Sequence, residues 1–262
     1  MGSRDFHPIE QNLRQSFRVL ASHRETGDVR EAGGVTIASL GVAFQMFNAA
    51  FLDGPVETEA DLKGRIATAA VHFSARGLEW SYWVCESWLE RKVRRRATNI
   101  FNRNGLDFVS EMPGMAADRL APPVRSLPEF EAKRVCDERT RLAFCDVGAV
   151  CFNVPLPWFR EVFDANYGRR SQFVPWVAYH RGEPVATAAT VAANGVVGIY
   201  NVATVPQRRR QGFGEGLMRF ALDRAREESG IERTILQSTA GGLRLYERMG
   251  YTAATKVLVY TS

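Results

Sequence analysis

The sequence predicts an α/β fold, in which helices and strands alternate along the chain. Apolar residues three or four positions apart, as in residues 8–21, indicate helices, whereas short β-branched or aromatic runs indicate strands. Asn194-Gly195 separates two strand-like runs and favours a two-residue hairpin, because both turn positions need positive φ. The chain has 262 residues, 45% of them hydrophobic, which is enough to bury a real core in one large or two modest domains.

Capping and helix-ending residues give the predicted boundaries of the first half. Thr58 is predicted to cap a helix that runs to about Arg76 and stops at Gly77. A Ser87/Glu90 capping box is predicted to open the next helix, which Gly105 ends. The strands are predicted at residues 35–40, within 42–51, at 79–85, and at 106–111 before Pro113.

The second half is predicted to continue the alternation. Its strands are placed near residues 132–135 and at 173–179, 185–193, 196–205, 234–237 and 257–260. Its helices are placed at residues 140–151 and 157–167, from about Glu215 to Gly230, and between Gly242 and Gly250. In the longest of these helices, Arg219 is expected to pair with Asp223 on the outer side.

A proline-rich segment is the predicted domain boundary. Pro122-Pro123, followed by Pro128, stiffens the chain and removes backbone donors that regular structure needs. We therefore expect a first lobe over residues 1–121, a linker over 122–129 and a second domain over 130–262. The halves share the order helix, Gly, strand, helix, Gly, strand, which indicates a weak duplication of pattern.

Composition favours an anionic small ligand and disfavours several other classes. The formal charge of +5 and pI near 9.2 are too mild to predict nucleic-acid binding. The cysteines and histidines are scattered without metal-ligand spacing, so we expect no metal and reduced thiols. No apolar run is long enough for a membrane helix and no secretory signal is recognisable, so the predicted location is the cytoplasm, away from membranes.

The stretch Arg209-Arg210-Gln211-Gly212-Phe213-Gly214, between a strand and a helix, predicts a phosphate site. Glycines let the backbone curl so that successive N–H groups face one concavity, and a helix start adds partial positive charge. A Walker P-loop is excluded because Leu217 and Met218 follow Gly216 in place of Lys and Ser or Thr. A dinucleotide fingerprint fits poorly, because its glycines should follow the strand directly.

The region resembles motif A of the GNAT superfamily of acyl-CoA-dependent N-acyltransferases, Arg/Gln-x-x-Gly-x-Gly/Ala, matched by Arg209-x-x-Gly212-x-Gly214. Residues 236–251 resemble its motif B, with Leu245-Tyr246-x-x-x-Gly250-Tyr251. The resemblance covers about residues 130–262, with the first half as a degenerate tandem copy. It implies a mixed, mostly antiparallel sheet flanked by helices, and transfer of an acyl group, most often acetyl, from acetyl-CoA to a primary amine.

The resemblance also implies site residues. It assigns the CoA pyrophosphate and pantetheine to Val202, Ala203, Thr204, Arg209, Arg210, Gln211, Gly212, Phe213, Gly214, Glu215 and Thr239. The N–H of Val202 is expected to hold the oxyanion, and Tyr246 to protonate the departing thiolate. Because no glycine loop precedes the Thr58 helix, we expect the first half to bind no phosphate.

Several questions stay open at the level of sequence. The strand over residues 196–205 has no carboxylate, so the general base is unassigned, with Asp146, Glu161 and His180 as alternatives. A non-catalytic acyl-CoA-binding protein is therefore the alternative to an enzyme. The acceptor, a small amine or a peptide, is not specified, nor is the oligomeric state.

Other aromatic and basic clusters have structural interpretations. Residues 91–96 are read as the solvated face of a helix rather than as an RNA-binding surface. Trp80, Tyr82, Trp83 and Trp88 are predicted to form inter-lobe core. Trp158 and Trp176 fit either an acceptor pocket or core packing.

Overall fold

A computed structural model describes residues 6–164 and 172–262 of the chain. The helices are α1 (Phe6–Ser22), α2 (Glu59–Ser74), α3 (Arg91–Arg103), α4 (Glu138–Phe152), α5 (Leu156–Val162), α6 (Phe213–Ser229) and α7 (Leu243–Arg248). The strands are β1 (Asp28–Ala32), β2 (Val35–Ser39), β3 (Asn48–Leu52), β4 (Ser81–Cys85), β5 (Asp107–Ala117), β6 (Glu131–Arg134), β7 (Phe173–His180), β8 (Glu183–Ala193), β9 (Val196–Thr204), β10 (Thr234–Gln237) and β11 (Thr252–Thr261). The end of the helix predicted over residues 157–167 lies outside the described residues.

The strands form one mixed sheet in the order β1-β2-β3-β4-β11-β5-β10-β9-β8-β7-β6. In the described part of the chain, β3 with β4 and β9 with β10 are the parallel pairs, and the other neighbours are antiparallel. The predicted α/β class with a mostly antiparallel sheet is therefore confirmed. Asn194 and Gly195 both have positive φ, as the predicted hairpin requires.

The two halves of the chain are interleaved in this sheet. Strand β5 of the first half lies between β10 and β11, and the C-terminal strand β11 lies between β4 and β5. Each half therefore receives a neighbouring strand from the other. The division at residues 122–129 stays a prediction, but the sheet is continuous across it.

Helices cover both faces of the sheet beside β7, β8 and β9. Leu217, Met218 and Ala221 of α6 pack with small residues of β8 on one face. On the other face, Phe144 of α4 and Phe159 of α5 pack with the opposite side of β7 and β8, and the C-terminal part of α1 joins them. The site described below lies where α1, from the first half, meets β9 of the second.

The predicted aromatic core of the first half is largely confirmed. Trp80, Tyr82 and Trp88 are buried together with Tyr260 of β11, so this core does include a residue from the other half. Trp83 points to the opposite face of β4, as strand alternation requires, and contacts Phe17 with ring centroids 5.3 Å apart. On α3, Val93 is buried and the basic residues around it are exposed, as predicted.

Three local predictions were wrong. Glu90, not Ser87, caps α3 by accepting a hydrogen bond from the Lys92 N–H at 2.6 Å, because Ser87 lies in a short 3₁₀ helix. The strand predicted to end before Pro113 continues to Ala117 as β5, with a bulge in β11 beside the proline. Arg219 pairs with Glu215 at 2.8 Å and donates to the Ala121 carbonyl, so it does not pair with Asp223.

No helix of the described residues is long and apolar enough to cross a bilayer.

Candidate active site

A gap opens in the sheet between the parallel strands β9 and β10. Their registered pairs are Thr234 with Val197 and Ile235 with Gly198. Beyond these pairs, β9 continues to Thr204 paired with β8 but no longer with β10. Strand β10 instead stays with β5, and the Ser238 N–H donates to the Pro113 carbonyl at 2.9 Å. The opening therefore leaves room for an extended ligand along β9, where backbone groups of a strand can pair with it.

A β-bulge bends β9 beside this gap. Tyr200 is opposite Ala189 and Ala203 is opposite Thr187, so Asn201 and Val202 together face one residue of β8. Asn201 has φ of +49°, and its carbonyl accepts a hydrogen bond from Thr187 Oγ1 at 2.8 Å. Bulges re-aim the backbone of one strand and are frequent next to active sites. Here the bulge includes Val202, the residue assigned by resemblance to the oxyanion.

The glycine loop forms a tight cradle at the start of α6. Gly212 has φ of +100°, and a Cβ on it would lie 3.0 Å from Pro128 Cδ. A Cβ on Gly214 would lie 2.7 Å from Thr204 Oγ1. Arg125 Nη2 donates to the Arg210 carbonyl at 2.7 Å, which fixes the loop from the linker side. The N–H groups of the first turn of α6, which begins at Phe213, lack intrahelical acceptors and carry the positive end of the helix dipole.

One cavity of about 910 Å³ joins the cradle to the gap. It is lined by most of the residues predicted for the site: Val202, Ala203, Thr204, Arg209, Arg210, Gly212, Gly214, Glu215, Thr239 and Tyr246. Gln211 and Phe213 do not line it. The Gln211 side chain donates to the Gln207 carbonyl at 3.1 Å, and Phe213 is buried under the loop against the His180 ring.

Five arginines line the cavity. Besides Arg209 and Arg210, the lining includes Arg125, Arg244 and Arg248, which sequence reasoning did not single out. Arg244 and Arg248 belong to motif B and Arg125 belongs to the linker. The sequence shows each of these arginines, but it does not show that all three line one cavity. Several arginines lining a cavity that also reaches the start of a helix favour a polyanion such as a phosphate ester.

Tyr246 is the predicted acid, and its surroundings keep it protonated. The side chain lines the cavity, is 8% exposed, and packs edge-on against Tyr251 with ring centroids 6.0 Å apart. Burial raises the pKa of Tyr246 to about 12, because the phenolate would be desolvated. A Cβ on Gly242 would lie 2.6 Å from the ring, so this glycine makes space for the tyrosine.

The suggested general bases lie elsewhere. Asp146 pairs with Arg160 at 2.8 Å, Glu161 pairs with Arg24 at 3.2 Å, and neither lines the cavity. His180 Nδ1 lies 3.2 Å from the Glu129 carbonyl, also away from the cavity. Among the described lining residues, Glu215 is the carboxylate, and its Oε1 accepts hydrogen bonds from both Nε and Nη2 of Arg219. Among the described lining residues, no carboxylate without an ion-pair partner is therefore present to act as general base.

Gln237, at the end of β10, is a lining residue that sequence reasoning missed. Its side-chain Nε2 is buried and has no hydrogen-bond partner among the described residues. A buried amide without a partner costs free energy, roughly 1–3 kcal/mol, unless a ligand or water completes it. Its position at the gap makes it a donor for a ligand oxygen.

Both halves of the chain line the end of the cavity far from the cradle, which we call the acceptor chamber. The first half contributes Leu13, Phe17, Leu20, Phe44, Phe47 and Trp83, and the second contributes Phe159, Phe163, Phe173, Ile199 and Tyr200. Trp158 supports the chamber from behind by contacting Phe44, with centroids 5.2 Å apart, but does not line it. Trp176 packs on Phe220 in the α6 core, so the core interpretation holds for that residue.

The fold and the cavity together define an acetyltransferase class: a mixed sheet with a splayed parallel pair, a bulge at the gap and a glycine cradle at a helix start. Comparison with known families gives the family whose model matches part of this chain. Residues 142–251 match the family model "Acetyltransferase (GNAT) family", and this part of the chain is a GNAT acetyltransferase domain.

A relative at the level of sequence is the [Ribosomal protein bS18]-alanine N-acetyltransferase of Escherichia coli (strain K12). It is 29% identical over 102 residues, which are 38% of this chain and 67% of the relative. The match therefore leaves most of this chain without a counterpart in that protein.

Solved structures extend the likeness of fold to the whole chain. The GCN5-related N-acetyltransferase from Kribbella flavida has a TM-score of 0.73 at 20% identity, over 98% of this chain and 95% of that one. The GCN5-related N-acetyltransferase from Sphaerobacter thermophilus has a TM-score of 0.59 at 15% identity, over 87% of this chain and 76% of that one. The arrangement of two halves is thus shared with other proteins of this fold.

Proposed function

We propose that this chain transfers the acetyl group of acetyl-CoA to a primary amine by direct attack of the amine on the thioester. The observation that carries the proposal is that the glycine cradle, the bulge at Val202 and the buried phenol of Tyr246 all border one cavity. A charged end for the nucleotide, a slot for an extended chain and a protonated acid are the parts that this reaction needs.

The residues present fit CoA as donor. The cradle has no room for a Cβ at Gly212 or Gly214, so its backbone N–H groups can approach a pyrophosphate closely. Arg209 and Arg210 line the same end and supply countercharge. Val202, Ala203 and Thr204 border the gap, where their backbone would pair with the pantetheine, and Thr239 lies on the other side.

Acetyl-CoA supplies an acyl carbon activated as a thioester, and the protein's residues handle the charges. As the amine nitrogen bonds to the acyl carbon, negative charge forms on the carbonyl oxygen, which the Val202 N–H would stabilise. When the C–S bond breaks, the Tyr246 hydroxyl donates its proton to the sulfur and regains one from solvent. The amine loses one proton to solvent, and the products are an amide and a thiol.

The sequence relative is named for N-acetylation of an alanine of ribosomal protein bS18, so an amine of a protein or peptide is one acceptor that the proposal includes. The other is a small-molecule amine. We also propose a cytoplasmic location: the four cysteines are free thiols, as expected in a reducing compartment.

Acetyl-CoA binding by calorimetry, followed by thiol release in an amine screen, tests the proposal. Tyr246→Phe should leave acetyl-CoA affinity within about twofold while lowering turnover by roughly 10²-fold, the usual contribution of a positioned acid. Tyr251→Phe is the matched control, because Tyr251 packs on Tyr246 but does not line the cavity. Like Tyr246→Phe, this variant lacks one tyrosine hydroxyl, in this case the one that accepts a hydrogen bond from Thr234. A protein that does not bind acetyl-CoA, or a Tyr246→Phe variant with full turnover, would contradict the proposal.

A further inference from the structure

The acceptor chamber is walled by aromatic rings from both halves. Phe17 of α1 and Trp83 of β4 contact each other on the first-half side, with ring centroids 5.3 Å apart. On the second-half side, Phe173 and Tyr200 stack with centroids 6.3 Å apart and an interplanar angle of 23°. The chamber therefore presents ring faces and edges, which bind flat or branched apolar groups by dispersion and burial.

The wall contributed by α1 is held rigidly in place. The buried Asn12 side chain donates to the carbonyls of Val191 and Ala193, each at 3.0 Å, and accepts a hydrogen bond from the Tyr200 hydroxyl at 2.6 Å. A Cβ on Gly198 would lie 2.0 Å from Asn12 Oδ1, so glycine is needed for this approach. Because the helix is fixed to β8 and β9, the chamber is formed before a ligand arrives.

Among the described residues, the walls of the chamber carry no charged side chain. The charged lining residues of the described chain belong to the 122–129 segment, the glycine loop with the start of α6, and α7, and none belongs to an element that walls the chamber: Arg125, Arg209, Arg210, Glu215, Arg244 and Arg248. At the chamber end, polar lining is provided by groups such as Ser16, whose hydroxyl already donates to the Leu13 carbonyl at 2.7 Å. A second cationic group on an acceptor would be desolvated here without a partner, which is strongly unfavourable.

From these observations we infer that the acceptor is a primary amine whose remaining skeleton is an uncharged aromatic or branched apolar group, seated in the acceptor chamber. This inference rests on the proposed function, since it names the substrate class of the same site. Polyamines, aminoglycosides and lysine-rich peptides are excluded, because each carries further ammonium groups into the apolar end. The amine itself faces the gap at Val202, where it forms the new N–C bond as the C–S bond breaks.

Thiol release from acetyl-CoA with 2-phenylethylamine, ethylamine and spermidine as acceptors tests the inference, with acetyl-CoA affinity measured separately by calorimetry. We expect kcat/KM for 2-phenylethylamine to exceed that for ethylamine by at least about tenfold, because the ring is buried. Spermidine should be a poorer acceptor than either. Phe17→Leu should lower kcat/KM for 2-phenylethylamine by about fivefold through loss of ring contact while leaving ethylamine and acetyl-CoA affinity unchanged.

Phe108→Ala is the control, since Phe108 is a 46% exposed aromatic of the first half that does not line the cavity; it should change none of these values. If acetyl-CoA binds but spermidine or ethylamine is acetylated as well as 2-phenylethylamine, the inference is wrong while the proposed function stands. If octanoyl-CoA is preferred to acetyl-CoA and Phe17→Leu alters only that preference, the chamber holds the acyl chain and the inference is again wrong. Failure of acetyl-CoA to bind removes the proposed function and the inference together.

Discussion

Replacing Gly212 by alanine should weaken acetyl-CoA binding far more than it weakens the fold. Gly212 has φ of +100°, in a region that L-residues with a side chain rarely adopt. The added Cβ would also lie 3.0 Å from Cδ of Pro128, a rigid ring that has little freedom to move. The loop of the variant therefore relaxes away from the cradle geometry when no ligand is bound.

The loss of affinity for acetyl-CoA can be worked out from the positive φ and from the close approach to Pro128. A left-handed conformation costs a non-glycine residue roughly 1–2 kcal/mol, and the close approach to Pro128 adds about 1 kcal/mol. Because the relaxed loop must return to the strained geometry to hold the pyrophosphate, about 2–3 kcal/mol is lost from binding. That loss corresponds to a dissociation constant for acetyl-CoA roughly 30- to 150-fold higher.

Calorimetric titration with acetyl-CoA measures the affinity, and urea unfolding measures the stability of the same variants. Gly230→Ala is the matched control: Gly230 ends the same helix α6, has φ of +72°, and has no atom within 4 Å of its ideal Cβ. Its variant should lose about 1 kcal/mol of unfolding free energy and keep wild-type affinity. If Gly212→Ala binds acetyl-CoA within twofold of the wild type, the pyrophosphate is not held by this cradle.

Three further predictions concern buried polar groups. Since burial raises the pKa of Tyr246 to about 12, kcat/KM should not fall between pH 8 and about pH 10; a twofold fall by pH 10 would indicate an acid with an ordinary tyrosine pKa. Gln237→Leu removes the unpartnered Nε2, so the ligand-free protein should gain about 1 kcal/mol in urea unfolding while acetyl-CoA or the amine binds about fivefold more weakly; unchanged affinity for both would refute a ligand role. Burial raises the pKa of Glu10, beside Arg14, to about 7, so folding favours the protonated carboxyl. The contribution of Glu10 to the unfolding free energy is therefore complete below its ordinary pKa and is lost as the pH rises through 7. Glu10→Gln should therefore remove up to about 3 kcal/mol of the decline in unfolding free energy between pH 5 and pH 8, and parallel pH profiles of the two proteins would contradict this.

The glycine cradle and the helix that carries Tyr246 could be predicted because their determinants are mostly local in sequence. Gly212 and Gly214 act within a few residues of the strand before them and the helix after them, and backbone freedom explains both positions. Tyr246 lies in the short helix α7, whose start at Gly242 and end at Gly250 are marked by glycines. Such local patterns can be recognised in the sequence without knowledge of the tertiary fold.

The acceptor chamber could not be predicted, since it depends on residues far apart in sequence. The Tyr200 hydroxyl bonds to Asn12, 188 positions away, and Phe17 shares a cavity with Tyr200 only because α1 crosses β9. The short strand β1, residues 28–32, was missed because it is a half-exposed edge strand with a weak apolar pattern. The pairing of Arg219 was wrong partly for a similar reason: its second partner, the Ala121 carbonyl, lies 98 positions away at the end of the first lobe.

The first half has the same parallel strand pair as the second, but its gap is closed. After β3 and β4 pair in parallel, Val56 continues the contact: its N–H donates to the Trp88 carbonyl at 2.8 Å and its carbonyl accepts from the Glu90 N–H at 2.9 Å. The helix that follows is capped by the Thr58 side chain, with Glu59 and Asp61 in its first turn. Both features oppose an anion there, because the Asp61 N–H already donates to the Thr58 side chain and the nearby charge is negative.

In the proposed function, closure of that gap explains why the donor is bound by the second half while the first half contributes to the acceptor chamber. Because its gap is closed, we expect the first half to hold no donor of its own, yet it supplies Phe17 and Trp83 to the wall of the shared cavity. The C-terminal strand β11, seated between β4 and β5, prevents the halves from separating without breaking the sheet. In the proposed function, substitutions in the first half would therefore change acceptor recognition while leaving the proposed donor site intact.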